Sequence, residues 1–507
     1  MPITEENLIQ ETISSQPHAD ERAAYYDGNE APLPSAGPPP AAGADSASDP
    51  VALRRRVFGL AWPVIGENLL ETLLGVVDTL LVAGLGAGAI AGVGSALQVM
   101  FFLIAILSAL AIGSAVLVAQ AVGAQDYRRA SQLARQSLLW SSVLSIPLAL
   151  GGLLLGAPII GVFGLEPDVA RIGVQYLHVT MGTVVVLVAL FIGGGVLRGA
   201  GDSRTPMVVT AIANLVNVGL AYGLIYGHFG LPALGAVGSA WATFLARTLA
   251  LVLLVGALWR GRNGVSIAGR SGWRLDPKVA TQVLRIGVPA ALEQVLVSSA
   301  FFALAIVVAG LGTLTLAAHR ISMNALSISF LPGIGFGIAA TALVGQSVGA
   351  RRISEGAAAA RIATTWAVIW MSALAAVFLA FAPRILQLFT SDPAVITAGA
   401  SGLRVVALAQ PFWAVLFVQS GALRGTGNTR FPLLVTGSSM WLTVGLAYLL
   451  TATVGGGLVS IWGAFLVIAP FAAALHWWRF RIAVAEQRAR EAALPEQPEV
   501  APIREPR

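Results

Sequence analysis

Residues 62–86 read WPVIGENLLETLLGVVDTLLVAGLG, an apolar run that carries three carboxylates, Glu67, Glu71 and Asp78. A carboxylate at the centre of a lipid-embedded helix costs ~2.5–3.5 kcal/mol on insertion scales, so three in one segment need a common reason. At 100° per residue, Glu67 to Glu71 advances by about 40° and Glu71 to Asp78 returns by about 20°, which puts all three on one helical face. Such a stripe can point into a water-filled space while the other faces meet lipid or protein. A carboxyl placed there has two useful states: ionised it attracts a cation, protonated it releases one. Asp78 lies nearest the helix middle and is the candidate proton or cation site. Glu67 and Glu71, toward the start of the segment, are candidates for the same task or for a solvated interfacial role.

The chain that positions this stripe has 507 residues, 56% of them hydrophobic and only 11% charged, with a mean hydropathy of +0.78. A soluble domain carries about 25% charged residues. The fold class is therefore all-α integral membrane, because the apolar runs are continuous and lack the period-two alternation of a barrel. Twelve runs predict twelve transmembrane helices, at 57–82, 89–121, 133–155, 172–197, 207–227, 234–258, 283–309, 315–348, 358–381, 399–422, 433–453 and 457–478. There is no cysteine, which removes disulfide and thiolate chemistry. No HExxH, GxSxG or Walker motif occurs and the five histidines are scattered, so the pattern fits neither an intramembrane enzyme nor an ATP-driven pump.

Residues 1–50 hold nine acids and one base, Arg22, in a Pro- and Ala-rich stretch without apolar periodicity, and read as a disordered tail that lacks signal-peptide features. With the amino terminus cytoplasmic, the inward segments collect 23 basic residues and the outward ones four, Arg171, Arg320, Arg384 and Arg404. That bias places both termini in the cytoplasm and makes most of the arginines topological anchors.

The chain is written twice, at a shift of 226 residues that needs no gap from about residue 61 to 448 and changes by about five only in the loop after the fifth helix. LRGAGDSRTPM at 197–207 returns as LRGTGNTRFPL at 423–433, VAQAVGA at 118–124 as VGQSVGA at 344–350, and VGLAY at 218–222 unchanged at 444–448. Six helices per copy is an even number, so the copies are parallel repeats about an axis along the membrane normal, an arrangement of transporters that rock two bundles around a central site. The expected divisions are a tail at 1–50, a six-helix bundle at 51–259, a linker at 260–282, a second bundle at 283–480 and a tail at 481–507. The LRGxG segments read as tight turns with a capping Asp or Asn, a first-turn Pro and arginines facing the cytoplasm. Of the three acids only Glu67 is repeated, as Glu293; positions 71 and 78 return as Val297 and Leu304. An acid kept in one copy alone suggests a task confined to that half.

The six-plus-six repeat, the VDTLLVAGLG segment, the paired LRGxG loops and the VGQxxGA endings, over about residues 55–480, resemble the multidrug and toxic compound extrusion (MATE) family. The resemblance implies a V-shaped, two-bundle antiporter exporting organic cations and amphipathic drugs in exchange for H⁺ or Na⁺, with the coupling acid on Asp78. It also implies coupling roles for Asn217 and Thr243, beside Glu67 and Glu71, while Ala221 replaces an expected Asp and so weakens the case for Na⁺. Arg247 lies one turn after Thr243 on the same face and needs an acidic partner. Glu293, Gln294, Arg247, Trp241 and Gln98, with Asn324, are candidates to line the substrate cavity, whereas packing is the default reading for Trp413. No cofactor is expected beyond the coupling ion. The expected partners are a drug-like small molecule and the bilayer, without nucleic acid, for a monomer in the plasma membrane. The alternative reading is a flippase for lipid-linked sugars, for which Arg247 is the single hint.

Overall fold

The computed structural model describes residues 50–269 and 272–493, and among these the chain is helical apart from turns and one isolated bridge between Arg262 and Val265. Fourteen helices follow one another: α1 Pro50–Ala83, α2 Ala87–Gly123, α3 Tyr127–Gly161, α4 Pro167–Gly182, α5 Val184–Gly199, α6 Arg204–Tyr226, α7 Ala236–Arg260, α8 Pro277–Ala309, α9 Thr313–Gly349, α10 Ile353–Gln387, α11 Pro393–Ala407, α12 Gln410–Gly425, α13 Arg430–Thr453 and α14 Leu458–Ala492. Eight of them are long and apolar enough to cross a membrane, or up to ten spans if each of two bent pairs counts as one. Outside that group stand α1, which carries the acid stripe, and α2, whose apolar stretches are the shorter Ala87–Phe101 and Ala111–Gly123.

The bent pairs are the main departure from the expected spans. The run read as 172–197 breaks by 52° between α4 and α5, and 399–422 breaks by 51° between α11 and α12. In the first, Thr183 sits at φ −111° and turns its hydroxyl back onto the Val179 carbonyl at 2.8 Å. In the second, Pro411 opens α12 and cannot donate a backbone bond to the helix before it. The breaks fall 226 residues apart, at Thr183 and Ala409. Several helices also run past the expected spans: α1 begins at Pro50 rather than 57, α3 at Tyr127 rather than 133 and α8 at Pro277 rather than 283, and α14 continues to Ala492, well into the expected tail. The acidic segment 1–49, Arg270 and residues 494–507 lie outside the described residues.

The LRGxG turns form as their composition predicts. Asp202 Oδ1 accepts from the Thr205 amide at 3.0 Å, Asn428 Oδ1 accepts from the Phe431 amide at 3.2 Å, and Gly201 and Gly427 take φ of +86° and +87°.

Helices α1–α7 pack among themselves, as do α8–α14, and the two groups meet where α2 lies along α8 and α9 and where α1 lies along α9. The connection between the groups is folded rather than slack. Val265 and Ile267 are buried in the core of the first group. Gln136 of α3 donates to the carbonyls of Gly272 (2.8 Å) and Arg274 (2.6 Å) and accepts from the Asp276 amide (3.0 Å), while Arg135 donates to the Ala268 carbonyl.

Candidate functional site: an acid stripe facing an arginine, above a two-sided seal

The acid stripe of α1 is met by residues of four other helices, α4, α5, α6 and α7. Asn214 of α6 donates to the Leu70 carbonyl at 2.8 Å and Tyr226 to the Leu81 carbonyl at 2.6 Å, so two side-chain bonds fix α6 along the stretch of α1 that bears Glu71 and Asp78. Behind it, α7 pairs closely with α6, and Asn217 Nδ2 donates to Thr243 Oγ1 at 3.2 Å, with Asn217 and Thr243 both buried. Tyr176 of α4 is buried too and lies within electrostatic reach of Asp78 and Arg247.

Along this face the charges alternate. Arg198, at the end of α5, closes on Glu67 with both carboxylate oxygens, at 3.0 and 3.2 Å. Glu71 lies within electrostatic reach of Arg198 and Arg247, and Asp78 within reach of Arg247. Among the described residues no ion pair within 4.0 Å closes on Asp78, Glu71 or Arg247. Asp78 Oδ1 and Asn217 Oδ1 are buried without a hydrogen-bond partner. Buried oxygens of this kind need a donor or a cation. The arrangement can therefore accept a proton, a cation or a bound ammonium group, with the guanidinium of Arg247 as a nearby fixed positive charge. Ala221, fully buried one turn after Asn217, offers no ligand.

The second group repeats only part of this. Arg424 donates to Glu293 at 2.8 Å, and both residues are the 226-shifted copies of Arg198 and Glu67. One ion pair is thus made twice, between the first helix of a repeat and the end of the helix before its LRGxG turn. Arg198 and Arg424, expected as anchors facing the cytoplasm, instead turn back into the protein, with side chains 16% and 23% exposed. The partner was not legible from either residue alone; the signal was that the repeated acid and the repeated arginine survive together in both copies. Glu293, 4% exposed and engaged by Arg424, is placed as a brace within its own group.

The other cavity candidates scatter. Trp241 is exposed, packed edge-on against Phe244 at 5.8 Å, and two residues from Thr243 it faces about 160° away. It is not brought together with Asn217 and Thr243. Gln98 and Asn324 occupy equivalent exposed positions on α2 and α9, and Gln294 is half-buried beside Glu293. Trp413 is packed in the core, edge-on to Phe330 and Phe465. A recess of about 370 Å³ runs along Thr72, Gly75, Val76, Thr79 and Leu80 of α1, and none of the expected cavity residues lines it.

At the ends of α2 and α9 the two groups are pinned together. Gln120 Nε2 donates to the Gly425 carbonyl at 3.1 Å, and Gln346 Nε2 donates to the Gly199 carbonyl at 2.9 Å. Both glutamines belong to the VAQAVGA and VGQSVGA motifs, and every atom of the first bond maps onto the second by the 226 shift. Arg56 of α1 adds a bond to Gln346 Oε1 at 2.6 Å. A Cβ on Gly123 would collide with the Gln346 carbonyl, and one on Gly349 with the Gln120 carbonyl, so only glycine permits this approach. The sequence marks these motifs as part of the repeat, and only the fold shows that they meet across the two groups.

A model of the MatE family matches residues 63–223 and again 289–449. The chain belongs to the MatE family. The two MatE matches are themselves offset by 226 residues, in step with the ion pairs and the seal. Among MatE relatives, the probable multidrug resistance protein NorM of Thermotoga maritima is 30% identical over 87% of this chain and 96% of its own length. The multidrug resistance protein NorM of Burkholderia vietnamiensis is 31% identical over 86% and 96%. A crystal structure of MATE in the bent conformation superposes with a TM-score of 0.81 at 24% identity, covering 88% of this chain and 98% of that one.

Proposed function

We propose that this MatE chain is a secondary antiporter that exports amphipathic organic cations in exchange for protons by alternating access, with Asp78 as the coupling carboxyl. The observation that carries the reading is the buried, unpartnered Asp78 oxygen within electrostatic reach of Arg247, on the helix whose Thr243 is paired with Asn217. Ionised, Asp78 holds the cationic substrate; protonated, it lets the substrate go. Protons rather than sodium follow from the poor oxygen count left by Ala221 and from the guanidinium already in place at Arg247. The names of the NorM relatives support drug-like cargo.

In this reading the chain crosses the plasma membrane twelve times as a monomer, in two parallel six-helix bundles forming a V, with each bent pair a single span and both termini cytoplasmic. The Gln120 and Gln346 contacts then close the cytoplasmic end, and Gln98 and Asn324, about 33 Å up the helices, flank the outer cleft. The bundles rock by breaking the paired contacts together.

The decisive experiment is transport of a dye cation into proteoliposomes under an imposed proton or sodium gradient, for wild type and Asp78→Asn. A proton gradient drives transport in the wild type and the substitution abolishes it; undiminished transport by Asp78→Asn would remove Asp78 from the coupling role. Arg247 favours a second reading, a flippase for an anionic lipid-linked cargo, which moves no dye cation under either gradient.

A further inference from the structure

A cavity of about 700 Å³ opens beside the seal, between the start of α1, the α5–α6 turn, α6 and the end of α7. Its walls are of two kinds. Arg56, Arg204, Arg260 and Arg262 supply positive charge, against one carboxylate, Asp202. Asp202 is occupied by the Thr205 amide and hydroxyl and reaches Arg262 only at 3.9 Å. Arg204 and Arg260 have no ion-pair partner among the described residues. The lining also carries an apolar wall, with Leu60, Val209 and Leu253.

The apolar wall does not stop at the cavity. Val208 and Ile212 line it and are 49% and 42% exposed, and Leu215, one turn further along α6, is 79% exposed. Positions 208, 212 and 215 share one helical face, so a basic mouth leads into an apolar strip on the outer surface of a membrane-crossing helix. A free phosphate or nucleotide would satisfy the arginines and leave the strip bare. An anionic phospholipid satisfies both, with its phosphate among the guanidinium groups and an acyl chain along the strip.

We propose that this cavity is a binding site for the headgroup of an anionic phospholipid. The reading goes beyond transport and holds whatever the cargo is. Arg56 gives it a functional edge, because the same side chain lines the cavity and bonds Gln346 of the opposite group. A phosphate that engages Arg56 competes with that bond, so headgroup occupancy bears directly on the seal.

The test is native mass spectrometry of the full chain released from bilayers of equal phosphatidylglycerol and phosphatidylcholine. The wild type retains phosphatidylglycerol in preference. Arg204→Gln with Arg260→Gln weakens that preference by roughly thirtyfold, at about fivefold per arginine, while Arg204→Lys with Arg260→Lys keeps most of it. Gel-filtration profiles matching the wild type confirm that the variants fold, and Arg260→Gln alone serves if the double variant does not. Equal retention of the two lipids by the wild type, or an unchanged preference in the glutamine variants, overturns the site. Displacement of the lipid by millimolar inorganic phosphate also overturns it, in favour of a free-anion pocket.

Discussion

Glu293 and Asp78 are both carboxylates on the first helix of a repeat, and their surroundings assign them opposite work. Glu293 is held by Arg424 and nearly inaccessible. Removing one partner of a buried pair leaves an uncompensated charge and costs about 3–5 kcal/mol. Glu293→Gln is expected to lower the temperature of thermal inactivation in detergent, and adding Arg424→Gln recovers part of the loss; a wild-type melting profile with abolished transport would instead make Glu293 a coupling acid. Arg247 has no such fixed partner and faces two acids. Arg247→Met removes a positive charge from a site proposed to take cations, so the KM for a cationic dye falls several-fold with little change in protein yield. A KM that rises would identify Arg247 as an organiser of the acids. At this scale the sequence was informative about angles and silent about distances. Helical phase alone aligned Glu67, Glu71 and Asp78, whereas the Glu67–Arg198 pair joins residues 131 positions apart and only the fold brings them together.

The elements that carry these residues are held by few, replaceable contacts. Because the chain has no cysteine, the seal can be probed by adding two. A Cβ on Gly345 would lie 3.0 Å from that of Ala119, its own counterpart in the other repeat, so a slight parting of the two backbones brings the pair to the ~3.8 Å of a disulfide. Ala119→Cys with Gly345→Cys therefore crosslinks on oxidation, stops transport and releases it on reduction; oxidation that leaves transport running would mean the groups need not part there. The linker is equally specific. Gln136→Ala removes three bonds to Gly272, Arg274 and Asp276, and limited trypsin digestion should then cut faster after the exposed Arg274. Hydropathy located nearly all of these elements but ran straight through the breaks at Thr183 and Ala409. An apolar average does not register a hydroxyl bonding its own backbone or a proline at the start of a turn.

Over the whole molecule, duplication built the scaffold and divergence built the site. The ion pair, the turn, the bend and the seal are each present twice, and their common shift of 226 was readable without any structure. The polar site was not duplicated. Asp78 corresponds to Leu304, 1% exposed in the core of the second group, and Thr243, beyond the loop where the shift falls by five, to the buried Ala464. Leu304→Asp in an Asp78→Asn background should fail to restore transport and should reduce membrane yield, since the new acid meets packed side chains with no arginine in the place of Arg247. Restored transport would show that the two halves are interchangeable. The reciprocity of the seal has a further consequence. Each glutamine reaches a carbonyl that its own repeat also supplies to the other, so a half-molecule carries both the hook and the eye. Two copies of residues 50–269 expressed as separate polypeptides would find matching hooks and eyes in each other and pair as a symmetric dimer with two acid stripes. Two copies of the second half would pair through the same fasteners and have no Asp78 at all.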